Sequence, residues 1–138
     1  MSDLYWKEQV SIFADMLERE LSTHIERSIL SAKLMELTIV PPSSDCAHMW
    51  IAISPDEVVL TAGQGTRFEL ARLPDSAMEL ERLIVSIASG GLTEEICLGI
   101  VSFKLRVDHE TTLRGRSIGN TGSGNNLRSV RYTAYKAS

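Results

Sequence analysis

The segment Pro74–Gly91, PDSAMELERLIVSIASGG, carries a start signal, an apolar stripe and a stop signal, and the rest of the chain is read outward from it. Pro74 and Asp75 prepare a helix start, Ser76 followed by Glu79 fits a capping box, and Gly90-Gly91 supplies the left-handed residue that ends a helix. Leu80, Leu83, Ile84, Ile87 and Ala88 recur at the spacing that gathers side chains on one helix face. Glu79 and Glu81 stand near the positive end of the helix dipole, where carboxylates are favoured. A helix with one apolar face needs a sheet or another helix against it, and strand-like segments lie on both sides.

Upstream, Trp6, Val10, Phe13, Leu17 and Leu21 mark an amphipathic helix from Asp3 to about Leu21, with Glu8, Asp15 and Glu18 on its polar side. Thr23 followed by Glu26 fits either a second capped helix to about Lys33 or a continuation of the first with a bend. In KLMELTIV, residues 33–40, Leu34, Met35 and Leu37 suit a helix, whereas Thr38-Ile39-Val40 is β-branched and meets Pro41-Pro42. The expectation is helix into the mid-thirties and then an extended exit. HMWIAIS, EVVLTA and TRFELA, all between His48 and Ala71, read as short strands, the last two forming a hairpin through Gly63-Gln64-Gly65. Downstream of the central helix, Val101, Phe103, Leu105 and Val107 alternate with Ser102, Lys104, Arg106 and Asp108, the signature of a strand with one wet face. Residues 114–126, RGRSIGNTGSGNN, predict a mobile loop or long hairpin tip, and LRSVRYTAYK predicts a last strand. The expected fold is therefore α+β: one domain over residues 1–138, with an antiparallel sheet of about five or six strands packed against an N-terminal helical region and the central helix.

The chain has 138 residues, 43% of them hydrophobic and 23% charged, enough to bury a core without disulfides or a metal. Its apolar runs are all interrupted by charged or polar residues, so no membrane span is expected, and the acidic N-terminal segment lacks a signal-peptide pattern; a cytoplasmic location is expected. Cys46 and Cys97 are too few for a disulfide framework and read as packed thiols. Cys46 and His48 stand beside Asp45, but His24 and His109 lie in unrelated segments and no second pair has zinc-ligand spacing; no metal or cofactor is expected. No nucleophile, base and oxyanion donors assemble into a constellation, so an enzyme is not expected.

The net charge of −4 conceals an asymmetry: residues 1–103 hold 16 acidic and 7 basic side chains, and residues 104–138 hold 2 acidic and 7 basic ones. Arg114, Arg116, Arg128 and Arg131 stand in or beside the glycine-rich segment, where backbone N–H groups and guanidinium groups suit an anion. Gly119, Gly122 and Gly124 do not form a GxGxxG pattern and no helix follows. With Tyr132 and Tyr135 interleaved, the same tail fits single-stranded nucleic acid, although a sequence pI of about 5.4 weighs against a dedicated nucleic-acid binder.

The order of features, with EVVLTAGQGTRFEL as a hairpin, ELERLIVSIASGG as a helix and then EEI, resembles small bacterial immunity proteins of contact-dependent inhibition and other polymorphic toxin systems. The likeness covers about residues 57–98, centred on ERLIVSIASGGLTEEI. It implies a cytoplasmic, non-catalytic protein that binds one cognate toxin domain and blocks its active site or assembly. Because such toxins are often nucleases with basic clefts, it implies contacts from surface carboxylates, here Glu8, Asp15, Glu18, Glu79, Glu81, Glu94 and Glu95. The basic tail leaves open the opposite arrangement, with Arg114, Arg116, Arg128 and Arg131 facing an acidic partner. In size, acidity and mixed α/β content the chain also resembles small acidic secretion chaperones, which implies a stable dimer.

Overall fold

The computed structural model describes residues 3–118 and 127–135. It is α+β, with two helices and two antiparallel sheets. Helix α1 (Asp3–Leu21) precedes a five-stranded meander, β1 (Ile25–Ser31), β2 (Leu34–Ile39), β3 (Met49–Ile53), β4 (Glu57–Ala62) and β5 (Thr66–Ala71), whose spatial order follows the sequence. Helix α2 (Ala77–Ala88) then leads to β6 (Leu92–Cys97), β7 (Ile100–Arg106), β8 (Thr112–Ile118) and β9 (Arg128–Arg131), arranged β8-β7-β6-β9.

The sequence pattern accounts for most of this. All five predicted stripe residues of α1 are buried, as are Leu80, Leu83, Ile84, Ile87 and Ala88 of α2. Gly90, at φ +84°, takes the left-handed position after α2, and two bonds close the helix end: Gly90 N–H to Ile87 O and Gly91 N–H to Ser86 O, both 3.0 Å. This is a Schellman motif, which satisfies carbonyls that the helix leaves unpaired. The start of α2 differs from the expected capping box. Ser76 makes no cap to the helix; its hydroxyl donates instead to Arg72 O at 3.5 Å.

Three other expectations are corrected. The helix expected into the mid-thirties is instead the hairpin β1–β2, in which Met35, Leu37 and Ile39 face the core between Glu36 and Thr38, while the expected extended exit at Thr38-Ile39 is the end of β2. Among the described residues, nine strands in two sheets replace the single sheet of five or six. Residues 114–118 belong to β8, paired with β7 from Thr112 to Ile118, rather than to a loop; residues 119–126 of the predicted loop lie outside the described residues. The last strand is short, and from Tyr132 the chain leaves it: Thr133 N–H reaches Asp45 O at 2.9 Å and Tyr135 N–H reaches Ala88 O at 2.7 Å.

One apolar cluster takes side chains from both helices and both sheets, including Leu17, Leu37, Ile51, Leu60, Ile84, Leu92 and Leu105. The sheets meet where Phe68 of β5 sets its ring against Phe103 of β7, centroids 5.0 Å apart in an edge-to-face arrangement. Because the core claims one side of each sheet, each sheet turns its other side outward, and those two sides carry the functional candidates.

Candidate functional site

The carboxylates implied by the family resemblance do not converge. On α1, Arg27 of β1 spans Asp15, at 2.8 Å, and Glu18, so these two are already neutralised from within the molecule. Glu8 is exposed on α1 and Glu79 on the first turn of α2. Glu81 faces Glu20 of α1; the hydrogen bond between the two carboxyls, with burial and the like charge behind it, raises the Glu81 pKa above its ordinary value. Glu95 points outward from β6.

Glu94 is not on the surface at all, which corrects its expected role as a partner contact. It is 1% exposed and occupies the joint between the two sheets. Alternation explains its position: Glu94 pairs in register with Phe103 and Val130, both on the inner side of the four-stranded sheet. Its carboxylate accepts from Gln64 N–H at 2.9 Å, Thr66 N–H at 3.3 Å, the Thr66 hydroxyl at 2.7 Å and the Tyr132 hydroxyl. A buried acid surrounded by donors in this way is a structural clamp. Gly63, at φ +61°, lets the β4–β5 loop approach it, since a Cβ there would come within 2.6 Å of the Tyr132 hydroxyl oxygen.

The outer side of the five-stranded sheet presents a surface that sequence reasoning missed. Register places Glu26, Thr38, Trp50, Thr61 and Arg67 in one row across the five strands, and Ser28, Glu36, Ala52, Val59 and Glu69 in the next. Trp50, on the central strand, is 37% exposed and stacks on the exposed His48 ring with centroids 5.7 Å apart and 12° between planes. With Ala52 and Val59 beside it, Trp50 makes an apolar centre. Glu26, Glu36, Glu57 and Glu69 stand around that centre, and the single guanidinium in these rows, Arg67, is paired with Glu69 at 3.2 Å. Glu26, Glu36 and Glu57 take part in no ion pair among the described residues. The signal was present in HMWIAIS: Trp50 alternates with the buried Met49 and Ile51, so it had to face away from the core.

The outer side of the four-stranded sheet is of opposite sign. Arg131, Thr93, Lys104 and Arg114 form one row and Ser129, Glu95, Ser102 and Arg116 the next, with Arg106 further along β7. Of the predicted basic residues, Arg114, Arg116 and Arg131 are thus brought together, joined by Lys104 and Arg106. Arg128 is not: it pairs in register with Ile96 and so falls on the other side of the sheet. Tyr132 and Tyr135 both turn inward, donating to Glu94 and to Ala47 O respectively, and burial raises each phenol well above its ordinary value of 10.0. Neither is placed to stack on a base.

Both cysteines are free; Cys46 is buried, its sulfur 3.4 Å from the Ser43 hydroxyl, and Cys97 is half-buried. Among the described residues, no three His, Cys, Asp or Glu side chains cluster as metal ligands, and no helix is long and apolar enough to cross a membrane. No protein family, curated protein or solved structure matches the chain.

Proposed function

We propose that this chain is a non-enzymatic binding protein of the immunity type, which neutralises a cognate toxin domain by seating a basic surface of that domain on the outer side of its five-stranded sheet. The observation that carries the reading is Trp50, stacked on His48 at the centre of a sheet face and surrounded by Glu26, Glu36, Glu57 and Glu69. Interfaces concentrate their binding energy in a few central aromatic residues, with charges at the margin that steer the encounter and set the sign of the partner. A Trp face also attracts Lys and Arg side chains directly. The sheet beneath is paired across all of its inner strands, which holds the surface in a pre-organised arrangement. An inhibitor needs this arrangement: it must hold one partner tightly and has no bond to make or break.

The test is to capture proteins from the native host's lysate, after nuclease treatment, on the tagged chain. The expected result is a single stoichiometric partner carrying a toxin-like domain, whose association slows as salt is raised. Trp50→Ala is expected to weaken that complex by roughly 30-fold, about 2 kcal/mol, and Glu36→Lys to slow its association. A captured partner that binds Trp50→Ala as tightly as the parent protein would remove this surface from the interface. Recovery of no protein partner would count against the immunity reading itself.

A further inference from the structure

We propose that the outer side of the four-stranded sheet is a second binding surface, independent of the toxin reading, and that its ligand is an acidic polypeptide segment rich in Asp and Glu. Five cations, Lys104, Arg106, Arg114, Arg116 and Arg131, share this side, and none takes part in an ion pair among the described residues. Leaving so many like charges side by side costs electrostatic energy that an anionic ligand relieves. Adjacent strands lie about 4.8 Å apart, so the row from Arg131 through Thr93 and Lys104 to Arg114 spans roughly 14 Å, the reach of a few extended residues. A concavity of about 520 Å³ lies over this row and the next, lined by Lys104, Arg114, Arg116 and Arg131 among others.

The chemistry of the face selects a polypeptide over a nucleic acid. Single-stranded nucleic acid needs outward aromatic rings for its bases. Here Phe103, Tyr132 and Tyr135 all point inward, against Phe68, Glu94 and Ala47 respectively. Glu95 lies among the cations, between Ser129 and Ser102, where it would stand against a continuous phosphate chain. A polypeptide with separated carboxylates can place a backbone amide or a basic side chain opposite Glu95. Its carboxylates then meet the guanidinium forks of Arg114, Arg116 and Arg131, which bind such groups through paired hydrogen bonds. The hydroxyls of Thr93, Ser102 and Ser129, set between the cations, suit the N–H and C=O groups of the same segment.

The probes are a fluorescent peptide of alternating Glu and Gly and a single-stranded oligonucleotide of equal charge, each titrated against the full chain at low salt and followed by anisotropy. The peptide is expected to bind, with an affinity that falls steeply as salt rises. Lys104→Glu or Arg131→Glu is expected to lower that affinity about tenfold. Arg128→Glu changes the net charge by the same amount on the other side of the sheet and is expected to leave binding within about twofold. All three side chains are exposed, so each variant is expected to keep the fold, which circular dichroism checks. Absence of peptide binding at low salt would overturn the proposal. So would an equal loss in Arg128→Glu, which reports net charge alone, or tighter binding of the oligonucleotide than of the peptide.

Discussion

Glu94 joins the two sheets through donors distant from it in the chain on both sides: Gln64 from the β4–β5 loop, Thr66 from the start of β5, and Tyr132 from beyond β9. Thr66 and Glu94 are both buried at the joint. Glu94→Gln replaces one acceptor oxygen with an amide that faces donors, leaving at least one buried N–H or O–H unpaired. The expected cost is about 2–3 kcal/mol of unfolding free energy, read from urea denaturation. An unchanged midpoint would mean that the carboxylate is dispensable as a clamp. In the sequence, Glu94 is one of an adjacent acid pair and reads as a surface carboxylate. Only alternation along TEEI separates the two: Glu94 shares its phase with Leu92 and Ile96, which are buried, and Glu95 shares its phase with Thr93.

Among the elements, the β6–β7 hairpin turns through Leu98 and Gly99, whose φ angles are +53° and +77°. Two positive φ values across a two-residue loop define the turn that follows the natural twist of a hairpin, and they favour Asn-Gly. Leucine pays a steric penalty there and, at 66% exposed, recovers little of it by packing. Leu98→Asn is therefore expected to stabilise the protein by about 1 kcal/mol, visible as a higher urea midpoint with an unchanged slope. The same element scale explains which parts of the fold were legible. The two helical stripes and the Gly90 stop are local patterns that tertiary structure had no reason to override. β1 was illegible because it is an edge strand in which only Ile25 is buried, so no alternation marks it. β2 does alternate, but Leu34, Met35 and Leu37 also fit helical spacing, and the choice between the two periods was settled by pairing with β1 and β3.

For the molecule as a whole, the asymmetry between the acidic first 103 residues and the basic remainder becomes a separation in space. The outer side of the first sheet is acidic and that of the second is basic. The sign of each half was legible in the sequence. The sites were not, because the rows Glu26-Thr38-Trp50-Thr61-Arg67 and Arg131-Thr93-Lys104-Arg114 are drawn from four or five strands whose register only pairing fixes. The global stability also has an alkaline limit written into its core. Burial raises the phenols of Tyr132 and Tyr135 above the value of about 10 that they regain on unfolding. Groups with a raised folded pKa support the fold fully below the unfolded pKa, and that support is lost as pH climbs toward the folded pKa. Stability is therefore expected to hold to about pH 10 and then fall, with a limiting slope of about 1.4 kcal/mol per pH unit for each phenol released. Tyr135→Phe should make the decline shallower. A flat profile through pH 11 would contradict the burial of both phenols.

The stitching of residues 128–135 into earlier parts of the chain has a consequence for biosynthesis. β9 completes the second sheet by pairing with β6, and the residues after it bond to Asp45, Ala47 and Ala88, partners that emerge from the ribosome far sooner. Until Tyr135 has emerged, β6 has a bare edge, the Glu94 joint lacks its phenol donor, and the carbonyls of Asp45, Ala47 and Ala88 face water. The nascent protein can assemble its first sheet during translation, but it must wait for residues 128–135 to lock the second sheet onto the first.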